Sequence, residues 1–435
     1  MRLRARAAAA VLAAGVALLL AARQAPVFAE VVAPAAPVAP ATAKATPAVP
    51  ESPQVAQGRY LAVVGDCEGC HDRPGGAPYA GGLPLATPFG TIYSVNLTQD
   101  RETGLGAWSA DDFWNAMHNG VRRDGAKLYP AFPYPYFTHI TRAESDALYA
   151  YFRTLPAVSY RPPANKLPFP LNLRFMVGFW NALNFKPDNA PTTGPNPGQH
   201  IVEGLGHCGA CHTPKTFLGG DKNGHALEGG KLDNWLAPAL NSDQRRGLGA
   251  WSTADVAEYL KTGRNARANA SASMADVIRY STSQMADADL AAVGDYLRGH
   301  PTHAAAVGDV RVDPKVMQAG QAIYVDECAT CHAADGKAQP GYFPPLPGAA
   351  VTQSTNPTNV IRFILSGTQT VATDAKPTPL SMPSFGWKLD DAQVAAVATY
   401  VRNSWGNVAP PVSPSDVAKL RRKVGKPIQK PSAKV

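Results

Sequence analysis

Apolar residues recur every three to four positions in several short segments of this chain, which is the pattern of amphipathic helices. Three such segments close three successive stretches of sequence, at 141–155, 283–300 and 389–405. Two more follow a repeated Gly-Leu-Gly-Ala-Trp-Ser phrase at 104–109 and 247–252, where an acidic residue after the serine indicates a capped helix start. Alternation of apolar and polar residues, the mark of strands, is scarce. The pattern predicts an all-α, loop-rich fold.

The cysteines mark a threefold repeat of this pattern. All six lie in Cys-x-x-Cys-His motifs, and a short predicted helix precedes each motif. Every motif is then followed by a loop, a helix, a second loop and a second helix. A unit that recurs in this way indicates one packed domain for each copy. We therefore predict three tandem domains, at 53–160, 191–305 and 312–407.

The N-terminal residues carry the pattern of an export signal. A basic start is followed by an apolar run at 7–22, and Val27 and Ala29 are the small residues of a cleavage site. Residues 1–29 are predicted to be a signal peptide, with an uncleaved N-terminal anchor as the alternative. Residues 30–52 are rich in alanine and proline, which favours an extended linker.

Charge is concentrated at the other end of the chain. The formal net charge is +8, and seven Lys and Arg residues fall within 419–434, so the body is close to neutral. The body has no basic stripe interleaved with aromatic residues, which excludes a nucleic-acid partner. The basic tail, 408–435, has two interpretations: attachment to an anionic membrane surface, or a disordered solubilising tail.

The Cys-x-x-Cys-His motif favours covalent haem over three other interpretations. A disulfide framework gives the histidines no role. Three separate Cys-x-x-Cys-His motifs do not combine into zinc sites with four ligands each. A redox dithiol needs a βαβ context, which the sequence pattern lacks. In c-type haem attachment, two cysteines bind the haem and the next histidine binds its iron. The sequence therefore predicts three haems c. The thioether residues are Cys67, Cys70, Cys208, Cys211, Cys328 and Cys331, and the iron ligands are His71, His212 and His332.

A second axial ligand is expected from the loop before each last helix. Met382 lies 54 residues after Cys328, and Met274 lies 66 residues after Cys208. In the first domain the corresponding position, 65 residues after Cys67, is Phe132. Two hypotheses remain for this haem. One is a weakly ligated or five-coordinate iron, and the other is a different protein ligand, for which the candidates are His139, Met117 and His118.

Residues 161–190, between the first two domains, are too apolar for a solvated linker and too short to cross a bilayer alone. One interpretation is a plug that fixes the first two domains together. The other is a docking or quinone-facing surface.

With these motifs the chain resembles the three-haem cytochrome c subunits of bacterial membrane-bound dehydrogenases. The resemblance covers residues 53–407 and rests on phrases such as GRYLAVVGDCEGCH, GLGAWS, LYPAFPYPYFT and MPSFGWKLDDAQVAAVATYVRNSWGN. It implies cytochrome c-type domains with Met274 and Met382 as axial ligands. Many members have methionine where this chain has Phe132, so the resemblance assigns no sixth ligand to the first haem.

The resemblance also implies the partners. A separate catalytic subunit, of flavin, pyrroloquinoline quinone or molybdenum type, oxidises an alcohol or aldehyde and passes electrons through the haems to membrane ubiquinone. Whether the complex also contains a small third subunit is left open. The expected location is the periplasmic side of the bacterial inner membrane, with peripheral attachment.

The chain itself contains no motif of a substrate-oxidising site, since every cysteine belongs to a haem motif and no dinucleotide-binding glycine pattern follows a strand. We therefore expect an electron-transfer subunit that does not oxidise substrate alone. Two alternatives stay open: a multihaem peroxidase or reductase that uses an open first haem, and a freestanding periplasmic electron carrier.

Overall fold

A computed structural model describes residues 51–232, 234–303 and 308–424, all within one unit that begins at Glu51. The predicted signal peptide and nearly all of the predicted linker lie outside these residues. The described chain is rich in short helices joined by long loops.

The first cysteine motif lies in a succession of short helices with one pair of strands. In chain order these elements are α1 Pro53–Val64, α2 Cys67–His71, β1 Pro84–Thr87, β2 Gly90–Tyr93, α3 Ala110–Asn119, α4 Tyr134–Phe137 and α5 Arg142–Phe152. The segment that follows contains α6 Met176–Asn184. The helix predicted at 141–155 is thus confirmed as α5.

The second motif lies in a similar succession. Its elements are α7 Pro197–Glu203, α8 Gly209–His212, β3 Gly230–Leu232, β4 Trp235–Ala237, α9 Thr253–Thr262, α10 Ser273–Tyr280, a 3₁₀ turn Thr282–Gln284 and α11 Asp287–Gly299. The helix predicted at 283–300 is confirmed as α11. Helix α10 was not predicted: the sequence interpretation placed Met274 in a loop, and the structure places it in the first turn of this helix.

The third motif completes the series. Its elements are α12 Pro314–Glu327, α13 Ala329–His332, α14 Ala350–Gln353, α15 Thr358–Ser366, β5 Thr368–Gln369, β6 Ser381–Met382, α16 Asp391–Asn403 and α17 Pro414–Val424. The helix predicted at 389–405 is confirmed as α16.

Short strands are the main difference from the all-α prediction. One two-stranded antiparallel pair accompanies each motif, with Pro84 opposite Tyr93, Gly230 opposite Ala237, and Thr368 opposite Met382. Each pair has four residue pairs or fewer, which is too short to produce a readable alternation of apolar and polar positions.

The helix starts follow the capping signals in the sequence. Ser109 and Ser252 each accept a hydrogen bond from the backbone three residues later, and the acidic side chain there bonds back to the serine backbone. Thr141 and Asp390 begin α5 and α16 in the same way. These reciprocal bonds satisfy amide groups that a helix start otherwise leaves unpaired.

Four hydrophobic clusters hold the structure together: one core around each motif, and a small cluster of Ala270, Ile278 and Val371 that joins the second stretch to the third. The core around the third motif is made only of residues from 323 onward, and the core around the second motif only of residues between 201 and 297. The first core is different, because buried Met285 and Leu290 from the second stretch pack in it beside Phe113 and Leu148.

The basic tail contains helix α17, which Ser413 caps by accepting from the Asp416 amide at 3.1 Å. Val417 and Leu420 are buried in the third core, and the Arg421 guanidinium bonds Asp391 at 2.7 Å. The packed unit around the third motif therefore extends past 407 to Val424. In the part of the chain that the structure describes, no helix is long and apolar enough to cross a bilayer.

Candidate functional site: the cysteine motifs and their cavity

Each Cys-x-x-Cys-His motif forms a single helical turn after a longer helix. The chain changes direction before the first two motifs at Asp66 and His207, which have positive φ angles of 50° and 37°. Residues three and four apart lie on one face of a helix, so the turn brings two cysteines and a histidine together. The six cysteines are not joined by disulfides.

The cysteines do not have the electrostatics of a redox dithiol. Burial raises the pKa of Cys70 and of Cys208 to about 12, and that of Cys328 to about 11. Reactive dithiols have a lowered thiol pKa, because a nearby positive charge or a helix N-terminus stabilises the thiolate. These buried thiols therefore do not support the redox dithiol interpretation.

Two of the three motif histidines are fixed by a hydrogen bond that leaves the other ring nitrogen available to a metal. Nδ1 of His71 donates to the Val95 carbonyl at 2.7 Å, and Nδ1 of His212 donates to the Pro238 carbonyl at 2.7 Å. Nδ1 of His332 lies beside the Pro344 carbonyl, outside hydrogen-bond geometry. Burial lowers the pKa of all three rings, so they are neutral. A neutral ring with a proton on Nδ1 offers its Nε2 lone pair to iron.

One continuous cavity joins the second and third motifs. It has a volume of about 1350 Å³, above the ordinary range of about 300–1,000 Å³ for a single ligand site. The cysteines and the histidine of both motifs line it. The first motif is not among its lining residues, although Val64 and Asp66 just before that motif are.

The two methionines predicted as axial ligands line this same cavity. Met274 lies in the first turn of α10 and packs against the cluster of Ala270, Ile278 and Val371, and Met382 lies in β6 against the third core. The structure thus brings each methionine to the cavity that contains its own motif. Met285, the other methionine near the last helix of the second stretch, is buried in the first core.

The comparisons with known proteins agree with this geometry. The Cytochrome c family profile matches residues 317–405. The chain is 40% identical to the cytochrome c subunit of gluconate 2-dehydrogenase from Pantoea cypripedii, over 85% of this chain and 89% of that protein. It is 38% identical to the cytochrome c subunit of the quinone alcohol dehydrogenase from Gluconacetobacter polyoxogenes, over 85% of each.

The cytochrome subunit of fructose dehydrogenase from Gluconobacter japonicus is 34% identical, over 88% of this chain and 85% of that protein. This chain belongs to the family of dehydrogenase cytochrome c subunits. Covalently bound haem c is therefore its cofactor, as the motifs predicted.

The cavity of this cytochrome c has a side chain suited to a haem carboxylate. Arg245 lines the cavity, and its Nη2 donates to the Val408 carbonyl at 3.2 Å. Its Nε is buried and has no hydrogen-bond partner among the described residues. A buried donor without a partner is costly, and a propionate carboxylate is an acceptor of the required charge. The residues present therefore fit haem c.

The first motif has an aromatic residue where the others have a methionine. Phe132 is half-buried against the first core, as is Cys67, and its ring meets Phe137 edge-to-face at 5.3 Å. Two of the three candidate substitute ligands, Met117 and His139, already have other contacts. Met117 is buried in that core, and the exposed His139 bonds Asp188 at 3.0 Å.

His118 has partners at both ring nitrogens. Nδ1 contacts the Asn119 side chain at 3.0 Å, and Nε2 contacts the Asp188 carbonyl oxygen at 2.7 Å. A metal ligand needs a free lone pair, so binding iron would require this ring to give up a hydrogen bond.

A hydrogen-bonded cluster joins the first stretch to the second motif. The Tyr136 hydroxyl donates to the Asp221 carboxylate, which also pairs with Lys215. Lys215 donates to the Gly209 carbonyl at 3.0 Å, inside the second motif. The ring of Tyr136 lies so close to Gly209 that a side chain there would collide with it at 2.8 Å. The first two motifs are therefore held beside each other.

The carbonyl partners of the histidines were not found from the sequence, although the repeat contained a signal. Val95 and Pro238 each lie nine residues before the first glycine of a Gly-Leu-Gly phrase. Aligning the repeats on that phrase would have singled out these two positions. Arg245 and Tyr136 left no such signal, because their roles depend on contacts between distant segments.

Proposed function

We propose that this protein carries three covalent haems c and conducts electrons from a catalytic dehydrogenase subunit to membrane ubiquinone. The observation that carries the proposal is the shared cavity, in which two complete sets of cysteines, histidine and methionine face one space. When bound, each haem supplies a one-electron couple whose potential the axial ligands set. The residues of the chain attach, orient and insulate it.

The proposed assignment of residues follows the sequence prediction. His71, His212 and His332 would hold the haem irons, together with Met274 and Met382 in the second and third domains. Three cytochrome c-type domains, each with one haem, follow a signal peptide that directs export to the periplasmic side of the inner membrane. Peripheral attachment there places the haems within reach of quinone.

The relatives support a catalytic partner. Their names describe cytochrome subunits of gluconate, alcohol and fructose dehydrogenases, which are enzymes that oxidise hydroxyl groups. This chain covers more than four-fifths of each of those subunits and adds no other domain to the described residues. A separate subunit that oxidises the substrate is the corresponding partner here.

The test measures haem content and electron transfer on one preparation. Pyridine haemochrome analysis and intact mass are expected to give three haems per chain, and the reduced protein is expected to reoxidise with a short-chain ubiquinone. Cys208→Ala is expected to remove attachment at its own motif only. Fewer than three haems in the unaltered protein would contradict the proposal, as would reduced haems that ubiquinone does not oxidise.

Phe132 favours a second candidate, an enzyme that uses an open first haem. Carbon monoxide and peroxide titrations separate the two candidates. An electron-transfer subunit is expected not to turn over peroxide, whether or not its first haem binds carbon monoxide. Phe132→Met is expected to change the spectrum of the first haem alone. Steady peroxide turnover that Phe132→Met abolishes would establish the enzyme instead.

A further inference from the structure

The segment between the first two motifs and a nearby loop expose an unusual number of large apolar side chains. We call this set the apolar face. It consists of Phe169, Phe175, Phe179, Leu183, Phe217 and Leu218. Phe217 is 95% exposed, Leu183 is 73% exposed and Phe179 is 63% exposed, so water covers most of their surface in the isolated chain. Contiguous exposed apolar surface marks an interaction site.

Helix α6 presents part of this face in a defined orientation. Phe175, Phe179 and Leu183 are four residues apart, which places them in one stripe along the helix. The opposite side faces the protein, since Val177 is buried and Asn181 bonds the Tyr134 hydroxyl at 2.5 Å. The helix is therefore anchored on one side and apolar on the solvent side.

The loop that carries Phe217 is tied to this helix. The indole nitrogen of Trp180 donates to the Leu218 carbonyl at 2.8 Å. A tight turn, closed by the Gly219 amide bonding the Thr216 carbonyl at 3.0 Å, projects Phe217 outward. The helix stripe and the loop tip are thus held together as one surface. The inner side of the segment joins the first two stretches, as the plug interpretation expected, while its outer side stays open.

The unpaired charge around the apolar face is positive, since the nearby acids Asp188 and Asp221 are paired with His139 and Lys215. Residues 165–187 contain Lys166, Arg174 and Lys186 but no acidic residue. Lys166 and Lys186 are exposed, and neither has an ion-pair partner in the described part of the chain. A short helix with an aromatic stripe, flanked by bases, has the composition of a segment that lies in a membrane interface.

We infer that the apolar face inserts into the surface of an anionic phospholipid bilayer. Phe175, Phe179 and Phe217 enter the boundary between headgroups and acyl chains, and Lys166 and Lys186 pair with lipid phosphates. The charge complementarity and the projecting loop tip favour a bilayer over a protein partner. Lipid binding by the apolar face requires no electron transfer, so it stands or fails independently of the proposed function.

The test uses the full haem-loaded protein without detergent and sucrose-loaded vesicles. Vesicles of phosphatidylglycerol with phosphatidylethanolamine are compared with vesicles of phosphatidylcholine, and binding is followed by co-sedimentation of haem absorbance. The unaltered protein is expected to prefer the anionic vesicles. The double variant Phe179→Ser/Leu183→Ser and the single variant Phe217→Ser are each expected to lower binding at least tenfold. Lys166→Gln/Lys186→Gln is expected to remove the preference for anionic lipid.

Trp387→Ser is the matched control, because Trp387 is an equally exposed aromatic residue outside the apolar face. Hydrogen–deuterium exchange on vesicle-bound protein gives a local readout that attachment elsewhere in the chain does not change. Protection of residues 169–186 and 214–220 is expected. Bound protein without protection there would overturn the inference. So would apolar-face variants that bind vesicles normally but lose a dehydrogenase subunit, since that result assigns the face to a protein partner.

Discussion

At the scale of single residues, the cavity determines which side chains are able to reach a haem iron. Met274 and Met382 belong to unlike elements, the start of a helix and a two-residue strand, yet both line the space that the second and third motifs share. A thioether ligand favours ferrous iron and raises the reduction potential.

Met274→Ala and Met382→Ala are therefore each expected to convert one haem from low-spin to high-spin and to lower its potential. Visible spectra, electron paramagnetic resonance and redox titration measure both effects. Met285→Leu is the control, since that residue is buried in the first core and keeps its volume on substitution. Unchanged spectra in either alanine variant would remove that methionine from the ligand set.

At the scale of elements, the contact between α5 and α7 joins the first stretch to the second. Glu144 completes the cap of α5 and also accepts from His200 of α7 at 2.8 Å, with both side chains largely buried. Burial alone would raise the pKa of Glu144, but the hydrogen bonds from His200 and the Thr141 backbone outweigh it, and the pKa lies below its ordinary value of 4.5.

A lowered pKa in the folded state means that ionised Glu144 stabilises the fold above pH 4.5. This contribution is lost as the pH falls through the lowered value. Glu144→Gln is expected to reduce the free energy of unfolding by about 2 kcal/mol at pH 7 and by much less in acid. A double-mutant cycle with His200→Gln, measured by denaturant unfolding at both pH values, isolates the pair. Coupling that does not weaken in acid would contradict this account.

Helix α17 gives a second prediction at this scale. Val417 and Leu420 fill part of the third core, and Arg421 bonds Asp391 and the Leu389 carbonyl. Truncation after Asn407 removes these contacts and is expected to lower the stability of the third unit by about 3 kcal/mol or more. Thermal unfolding of the haem-loaded protein measures the effect. Because the buried residues of α17 pack in the third core, the truncation is expected to lower the unfolding temperature while vesicle binding changes little.

At the scale of the whole molecule, the cores differ in how far they depend on their neighbours. The third core contains only residues from 323 to 424, whereas the first borrows Met285 and Leu290 from the second stretch. The Ser281 hydroxyl also reaches the Val64 carbonyl at 3.3 Å across this contact. The first two stretches are therefore expected to fold together. The third keeps its own core and adds only buried Val371 to the small cluster with Ala270 and Ile278, so it is expected to fold alone.

Expression of three exported fragments tests this difference. Residues 308–424 are expected to form a folded protein with one haem and a cooperative thermal transition. Residues 51–190 are expected to be unstable, while 51–303 is expected to recover two haems and a cooperative transition. Haem staining and circular dichroism of the three fragments provide the measurement. A stable 51–190 fragment would show that the shared core is not essential.

Features that depend on neighbouring residues could be predicted from the amino-acid order. Cysteine and histidine at fixed spacing form one helical turn wherever they occur, and the capping signals at Ser109, Ser252 and Thr141 start helices through bonds within four residues. The motifs, the family and the last helices of the three stretches were therefore predictable, whereas the position of Phe132 at the first haem stays a prediction.

Features that depend on contacts between distant segments required the folded structure. The joining of two haem sites in one cavity, the burial of Met285 in the first core, and the packing of α17 arise from contacts across many residues, which periodicity does not encode. The segment 161–190 shows the limit best. Its apolar composition was evident, but the contacts of Trp180 and Asn181 decided which side is buried and which side stays exposed. A stripe becomes a surface only when the opposite side of its helix is fixed to the protein.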